Sequence, residues 1–247
     1  MRRPTNRPRL SRRKRANRTG MPMRAEPISS ERGARISRVA GLYAVTPGEA
    51  DTDVLLAKVV AAIGGGAAVV QYRAKALAAD ARWRQARSLA RAPAVRRALF
   101  IVNDDPDLAA DVDADGVHLG EDDPPIAQAR ARIGPGRLVG VSCYDNFDRA
   151  RAAVDAGADY VAFGSFFASP VKPGARRASV ELLARAGALG VPVVAIGGIT
   201  AANARTLVDA GASAVAVISD VFAHDDPADV TRAAMAVAHC FRAQQSR

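Results

Sequence analysis

The chain has 247 residues, 49% hydrophobic, 24% charged and 5% aromatic, enough for one large domain with a substantial core. No run approaches the ~20 apolar residues of a membrane span. Cys143 and Cys240, far apart and outside any CxxC pair, exclude a disulfide scaffold and point to a reducing, cytoplasmic setting, and His118, His224 and His239 lack the spacing of a histidine metal centre.

The net charge of +10 is unevenly spread: residues 1–38 hold 13 basic and 2 acidic side chains, leaving 22 basic and 23 acidic over 39–247. Residues 1–38, rich in Arg, Pro and Asn, bury too little apolar surface to offset their ordering entropy, so they read as a disordered extension. A charge-driven arm for nucleic acid or anionic lipid, an Arg-rich transit peptide, a true start at Met21 or Met23, and an inert extension are the alternatives. Without aromatic platforms or a binding fold behind the tail, no nucleic-acid partner is expected, and no membrane.

Residues 39–247 form one domain in which Val/Ile-rich runs alternate with Ala/Arg/Asp-rich stretches. The runs cover 42–46, 67–73, 99–104, 116–120, 138–143, 160–165, 193–198 and 214–219. They mostly lack period-2 polarity, as parallel strands buried on both faces do. Helices are predicted over 53–63, 80–92, 106–111, 124–133, 146–156, 180–189, 201–210 and 227–241. Stop signals at Gly64, Gly134, Gly157, Gly190 and Gly211, and caps or first-turn prolines such as Asp105-Pro106, Asp123-Pro124 and Asp226-Pro227, set their ends. Eight such pairs predict an α/β fold, a (β/α)8 TIM barrel. The rival, an open doubly wound sheet, would need a Gly-rich dinucleotide turn after the first strand, and Val45-Thr46-Pro47-Gly48-Glu49 is not one.

Barrel chemistry gathers where the strands end. Here those ends carry Gln71, Arg73 and Lys75; Asn103, Asp104 and Asp105; Glu121, Asp122 and Asp123; Ser142; the stretch from Ser165 to Lys172; Gly197 and Gly198; Ile218 and Ser219. The domain has only three lysines, Lys58, Lys75 and Lys172, and two of them follow strands two and six. Compact point charges beside Arg73 suit a polyanion. Asp104 and Asp123, with no His or Cys among them, suit a hard cation such as Mg²⁺ that shares phosphate oxygens; helix capping is the competing use of Asp105 and Asp123. Cation and basic groups together read as a pyrophosphate site. Gly197-Gly198 and Ile218-Ser219 suggest a second anion site of backbone N–H groups after strands seven and eight, so two phosphorylated substrates are expected. His118 reads as a core or supporting residue and Cys143 as packing.

The series Leu-Tyr-Ala-Val-Thr, Gln-x-Arg-x-Lys, Asn-Asp, Asp-Gly-Val-His-Leu-Gly-x-x-Asp, Gly-Val-Ser, Ser-x-x-Lys-Pro and Ala-Ile-Gly-Gly-Ile, over about residues 40–225, resembles the thiamine-phosphate synthase family. The resemblance implies condensation of hydroxymethylpyrimidine pyrophosphate with hydroxyethylthiazole phosphate to thiamine monophosphate and pyrophosphate, with Mg²⁺. It implies Gln71, Arg73, Lys75 and Lys172 around the pyrimidine pyrophosphate, and Asn103 at the pyrimidine amino group. Ser142 would lie on the pyrophosphate side, with Asp104 and Asp123 on the metal. Gly198, Ile218 and Ser219 would meet the thiazole phosphate. Ser169 and Val171 stand where the family usually has two threonines, so one hydroxyl contact is lost at Val171; Glu121 stands where Gln is common. A thiazole tautomerase-like relative is the runner-up, disfavoured because it needs no pyrophosphate site. A homodimer is left open.

Overall fold

The structure, a computed structural model, describes residues 29–168 and 176–242. Eight parallel strands close in sequence order into a barrel: β1 (Gly41–Val45), β2 (Ala67–Tyr72), β3 (Leu99–Asn103), β4 (Gly116–Leu119), β5 (Leu138–Tyr144), β6 (Tyr160–Phe163), β7 (Val193–Ile196) and β8 (Ala214–Val217). The helices are α1 (Ser30–Ser37), α2 (Thr52–Gly64), α3 (Ala79–Arg91), α4 (Pro106–Asp111), α5 (Ile126–Ile133), α6 (Phe147–Asp155), α7 (Glu181–Ala186), α8 (Ala204–Asp209), α9 (Ser219–Phe222) and α10 (Pro227–Arg242). Each expected strand is present. The helix over 180–189 is shorter in α form and finishes as a 3₁₀ turn, Gly187–Leu189.

The apolar strands form two cores of opposite parity. Val70, Val102, Val117 and Val161 face the helices, whereas Tyr43, Val69, Ile101, Leu138, Tyr160, Val194 and Ala216 fill the barrel. Side chains alternate along a strand. The inward parity therefore runs on to Gln71, Asn103, His118, Ser142 and Ile218, which form the upper layer and floor of the mouth.

The expected disorder of residues 1–38 is corrected where the structure describes it. Residues 30–37 are a helix, capped by the Ser29 hydroxyl, which accepts from Arg32 N (3.2 Å). Arg32 Nε donates to Asp159 (2.6 Å) and Arg35 Nε to Asp115 (3.0 Å). Ile36 and Val39 pack on the barrel core from its N-terminal end. Charge counted along the sequence hid this, because the partners lie 80 and 127 residues away. The rest of the extension, 1–28, lies outside the described residues. No described helix is long and apolar enough to cross a membrane.

Candidate active site

The C-terminal rim begins at Thr46, just past β1. Thr46 N donates to Gln71 O (2.9 Å), Arg73 N donates to Thr46 Oγ1 (2.9 Å), and that hydroxyl donates to Arg73 O (3.3 Å). These bonds continue the β1–β2 ladder past the strand ends and fix the backbone from which the Arg73 side chain leaves. Gln71, buried, points into the barrel and donates from Nε2 to Tyr43 Oη (2.8 Å).

Lys75 and the two predicted carboxylates meet. Lys75 Nζ lies 2.8 Å from Asp104 Oδ2. Asp104 has a left-handed backbone (φ 65°), while its N–H still donates to His118 O (2.8 Å). The chain thus turns out of β3 without losing its ladder bond, a conformation that costs a non-glycine residue energy and is found where function demands it. Asp123 does not cap α5, whose start at Pro125 has no side-chain cap; its carboxylate instead accepts from Gly120 N. Asp105 takes the capping role, accepting from Leu108 N (2.9 Å) at the head of α4. The two readings of these carboxylates therefore separate. Partial burial, together with the Asp104 carboxyl against it, pushes the Asp123 carboxyl above its usual range, although Gly120 N–H and Lys75 oppose the shift. Two facing carboxylates with one lysine between them suit a hard cation, since such an ion takes one or two protein carboxylates and completes its shell with phosphate and water oxygens. Among the described residues no group of three or more His, Cys, Asp or Glu side chains could hold a metal.

Ser142 closes the mouth opposite Gln71, with Oγ 2.9 Å from His118 Nε2. Arg149 of α6 clamps the neighbouring strand ends: Nε donates to Ser142 O (2.9 Å) and Nη2 to Gly120 O (3.2 Å), while its guanidinium lies 5.7 Å from the Tyr144 ring centre. Glu121 stands 4.0 Å from Arg149. Burial pushes the His118 imidazole down to about 4, against the pull of Asp104, so it is neutral at physiological pH. Asn103 shares the inward parity at the end of β3 and is half-buried.

A second cavity, about 330 Å³, opens after β7 and β8 between Ala168, Gly197, Gly198, Thr200, Ile218 and Ser219. Gly198 has φ 62°, and a Cβ there would stand 2.3 Å from Ala168 O; at Gly197 (φ 105°) it would stand 2.2 Å from Ser165 Oγ. The glycines are required by the β6 loop lying against the β7 loop, as well as by any ligand approaching the backbone. Ser169, Val171 and Lys172 lie outside the described residues; Ala168, just before them, lines this cavity. A larger cavity, about 730 Å³, lies at the other end of the barrel beside α1, among Arg35, Asp115, Arg137 and Asp113, which are already paired with one another.

Of the expected site residues, the structure brings Lys75, Asp104 and Asp123 into one cluster and Gly198, Ile218 and Ser219 around one cavity. Gln71 and Ser142 are linked through the barrel interior, and Arg73 and Asn103 stand on the same rim. Sequence reasoning gave no role to Thr46, Tyr43, Tyr160 or Arg149. The available signal was a hydroxyl of inward parity in an otherwise apolar strand, present at Tyr43 and Tyr160.

Comparison with known proteins accords with this geometry. A family profile described as thiamine monophosphate synthase matches residues 42–221. The thiamine-phosphate synthase of Chromobacterium violaceum is 54% identical over 196 residues, covering 79% of this chain and 95% of the relative. That of Thiobacillus denitrificans is 54% identical over 207 residues, covering 83% and 96%. The solved thiamine phosphate pyrophosphorylase from Pyrococcus furiosus superposes with a TM-score of 0.73 at 34% identity, covering 85% of this chain and 98% of that one. With the barrel, the charged rim and these matches in agreement, the chain belongs to the thiamine monophosphate synthase family and is a transferase of thiamine biosynthesis.

Proposed function

We propose that this rim joins hydroxymethylpyrimidine pyrophosphate to hydroxyethylthiazole phosphate, releasing pyrophosphate and forming thiamine monophosphate. The observation that carries the residue assignment is the Lys75–Asp104–Asp123 cluster, with Lys75 Nζ 2.8 Å from Asp104 and the Asp104 carboxyl helping to push the Asp123 carboxyl above its usual range. Asp104 and Asp123 would hold Mg²⁺. When bound, the ion supplies positive charge to the leaving diphosphate and screens the two carboxylates from each other.

The chain's own groups do the rest. Arg73 and Lys75, with Lys172 by the family resemblance, stabilise the charge that grows on the diphosphate as its C–O bond breaks. The electron-rich aminopyrimidine, oriented through Asn103 and Gln71, takes up the positive charge left at its methylene carbon. The thiazole nitrogen donates its lone pair to that carbon and forms the new C–N bond. Gly198, Ile218 and Ser219 hold the thiazole phosphate at the second cavity, and Ser169 and Val171 are assigned to the same phosphate by the family resemblance alone, so the nitrogen is aimed without an enzymic nucleophile. Val171 offers no hydroxyl, so this phosphate depends more on backbone N–H groups. No general base is needed, which agrees with a neutral, buried His118 and with Cys143, whose thiol burial pushes up to about 12. The free cysteines Cys143 and Cys240 accord with a cytoplasmic location.

The test is an assay with both purified substrates and Mg²⁺. Thiamine monophosphate and pyrophosphate should appear together, and only when all three components are present. Their absence from the complete mixture overturns the assignment.

A further inference from the structure

We propose that Tyr43, Tyr160 and His118 form a one-way hydrogen-bond chain from Gln71 to Ser142 that holds His118 as its Nε2–H tautomer and leaves the Ser142 hydroxyl proton free to point at the bound anion. None of these three touches the mouth's ligand directly; each is a positioning residue acting through Ser142. The proposal rests on the reading that Ser142 faces the diphosphate.

The chain is continuous. Gln71 Nε2 lies 2.8 Å from Tyr43 Oη, which lies 2.9 Å from Tyr160 Oη; Tyr160 Oη lies 3.2 Å from His118 Nδ1, and His118 Nε2 lies 2.9 Å from Ser142 Oγ. Tyr43 is 1% exposed, Tyr160 0%, Gln71 5% and His118 8%, so water does not compete along it. No buried side-chain N or O atom among the described residues lacks a partner.

Its direction follows from proton counting. The Gln71 NH₂ can only donate, so Tyr43 accepts and passes its own proton to Tyr160. Tyr160, having accepted from Tyr43, donates to His118 Nδ1. Both ring nitrogens of the buried imidazole face hydroxyls rather than carboxylates, so it carries one ring proton, which must then sit on Nε2 and be donated to Ser142 Oγ. The serine oxygen has one acceptor position filled, and its own O–H remains for an anion. With the Gln71 amide reversed, every bond would run the other way. Ser142 would then donate inward to His118 and show an anion only lone pairs. An anion at the mouth favours the first direction.

The fold makes room for this chain at a cost. The Tyr160 ring occupies the space beside Gly140, where a Cβ would stand 2.0 Å from Tyr160 Cζ, and it stacks on His118 with centres 5.6 Å apart at 25°. Four polar side chains in a barrel interior otherwise filled by aliphatic residues are destabilising unless every bond is made. Full satisfaction makes the arrangement rigid, which is what an aimed hydroxyl requires.

The test uses the full chain labelled with ¹⁵N-histidine. Ring nitrogen shifts of the ligand-free protein, assigned to His118 by their loss in His118→Gln, should report Nε2–H with bare Nδ1; an Nδ1–H signature overturns the proposal. In Tyr160→Phe of unchanged circular dichroism, the signature should become a mixture of tautomers. The kcat should then fall about tenfold while KM stays within about threefold, as expected for one misdirected hydrogen bond. His118→Gln, which keeps an N–H donor near the Nε2 position, should retain about tenfold more kcat than His118→Leu; equal losses overturn the proposal. If the wild type shows Nε2–H yet forms no thiamine monophosphate, the functional reading fails and the fixed tautomer stands. If thiamine monophosphate forms from an enzyme with Nδ1–H, the chain fails and the functional reading stands.

Discussion

At the N-terminal end of the barrel, Asp159 is 1% exposed and accepts from Arg32 Nε (2.6 Å), Arg130 Nη2 (2.6 Å) and Val139 N (2.7 Å). At the C-terminal end, Asp104 and Asp123 face each other half-buried, and the neighbouring cation, Lys75, is 60% exposed. The same residue types thus serve opposite ends. A buried carboxylate accepting three hydrogen bonds ties α1 and α5 to β5 and belongs to stability. Two carboxylates in mutual repulsion beside an exposed lysine stabilise nothing by themselves, since such an exposed pair contributes at most about 1 kcal/mol. A perturbed carboxyl pair of this kind marks a candidate ligand site rather than a stabilising contact.

Substitutions at the two ends should therefore fail in different assays. The largest effect is expected at the upper rim: Asp104→Ala should lower turnover by about 10²-fold or more while the melting temperature holds or rises, because a like-charge contact is gone. Lys172→Ala should lower turnover comparably. Wild-type rates in both would remove the charge-stabilisation account. At the lower rim, Asp159→Ala leaves two guanidiniums uncompensated and should cost about 3–5 kcal/mol, or roughly 10 °C in melting temperature, with kcat and KM at 25 °C near wild type. A turnover loss without melting loss would break the contrast between the ends.

Truncation sharpens it further. Deleting residues 1–28 should leave melting and activity unchanged, whereas deleting 1–38 removes Arg32, Arg35 and Ile36 and should lower the melting temperature by several degrees at unchanged KM. A smaller, selective effect is expected from Gly198→Ala. Its left-handed backbone and the 2.3 Å approach of Ala168 O resist a Cβ, so KM for the thiazole phosphate should rise several-fold while KM for the pyrimidine substrate holds. The smallest effect is chemical. Cys143, its thiol pushed up to about 12 by burial, keeps its proton in the folded state up to that pH, so alkylation at pH 8 should label Cys240 first and reach Cys143 only on unfolding. Because the folded pKa is raised, the linkage subtracts stability as pH climbs from about 9 towards 12 and contributes no pH dependence below that window.

Much of the barrel is legible from residue order alone. Parallel strands covered on both faces must be apolar along their whole length, so 67–73 and 214–219 stand out against the Arg- and Asp-rich helices. The β-end polar residues are legible too, since a strand that stops at Asn103-Asp104 or Gln71-x-Arg73 leaves them on the rim. The helix α1 is not. Eight residues with three charges hold together only because Asp115 and Asp159 wait at the barrel floor.

Sequence by itself determined the eight β/α pairs, the family pattern and the identity of the charged groups, because each follows from local periodicity or from residue types at fixed spacing. Tertiary structure alone decided that Asp123 turns to Asp104, that the start of the domain docks beneath the barrel, and that Gln71 and Ser142 are joined through Tyr43, Tyr160 and His118. Those outcomes depend on distances between residues far apart in the chain, and only closing the cylinder sets them.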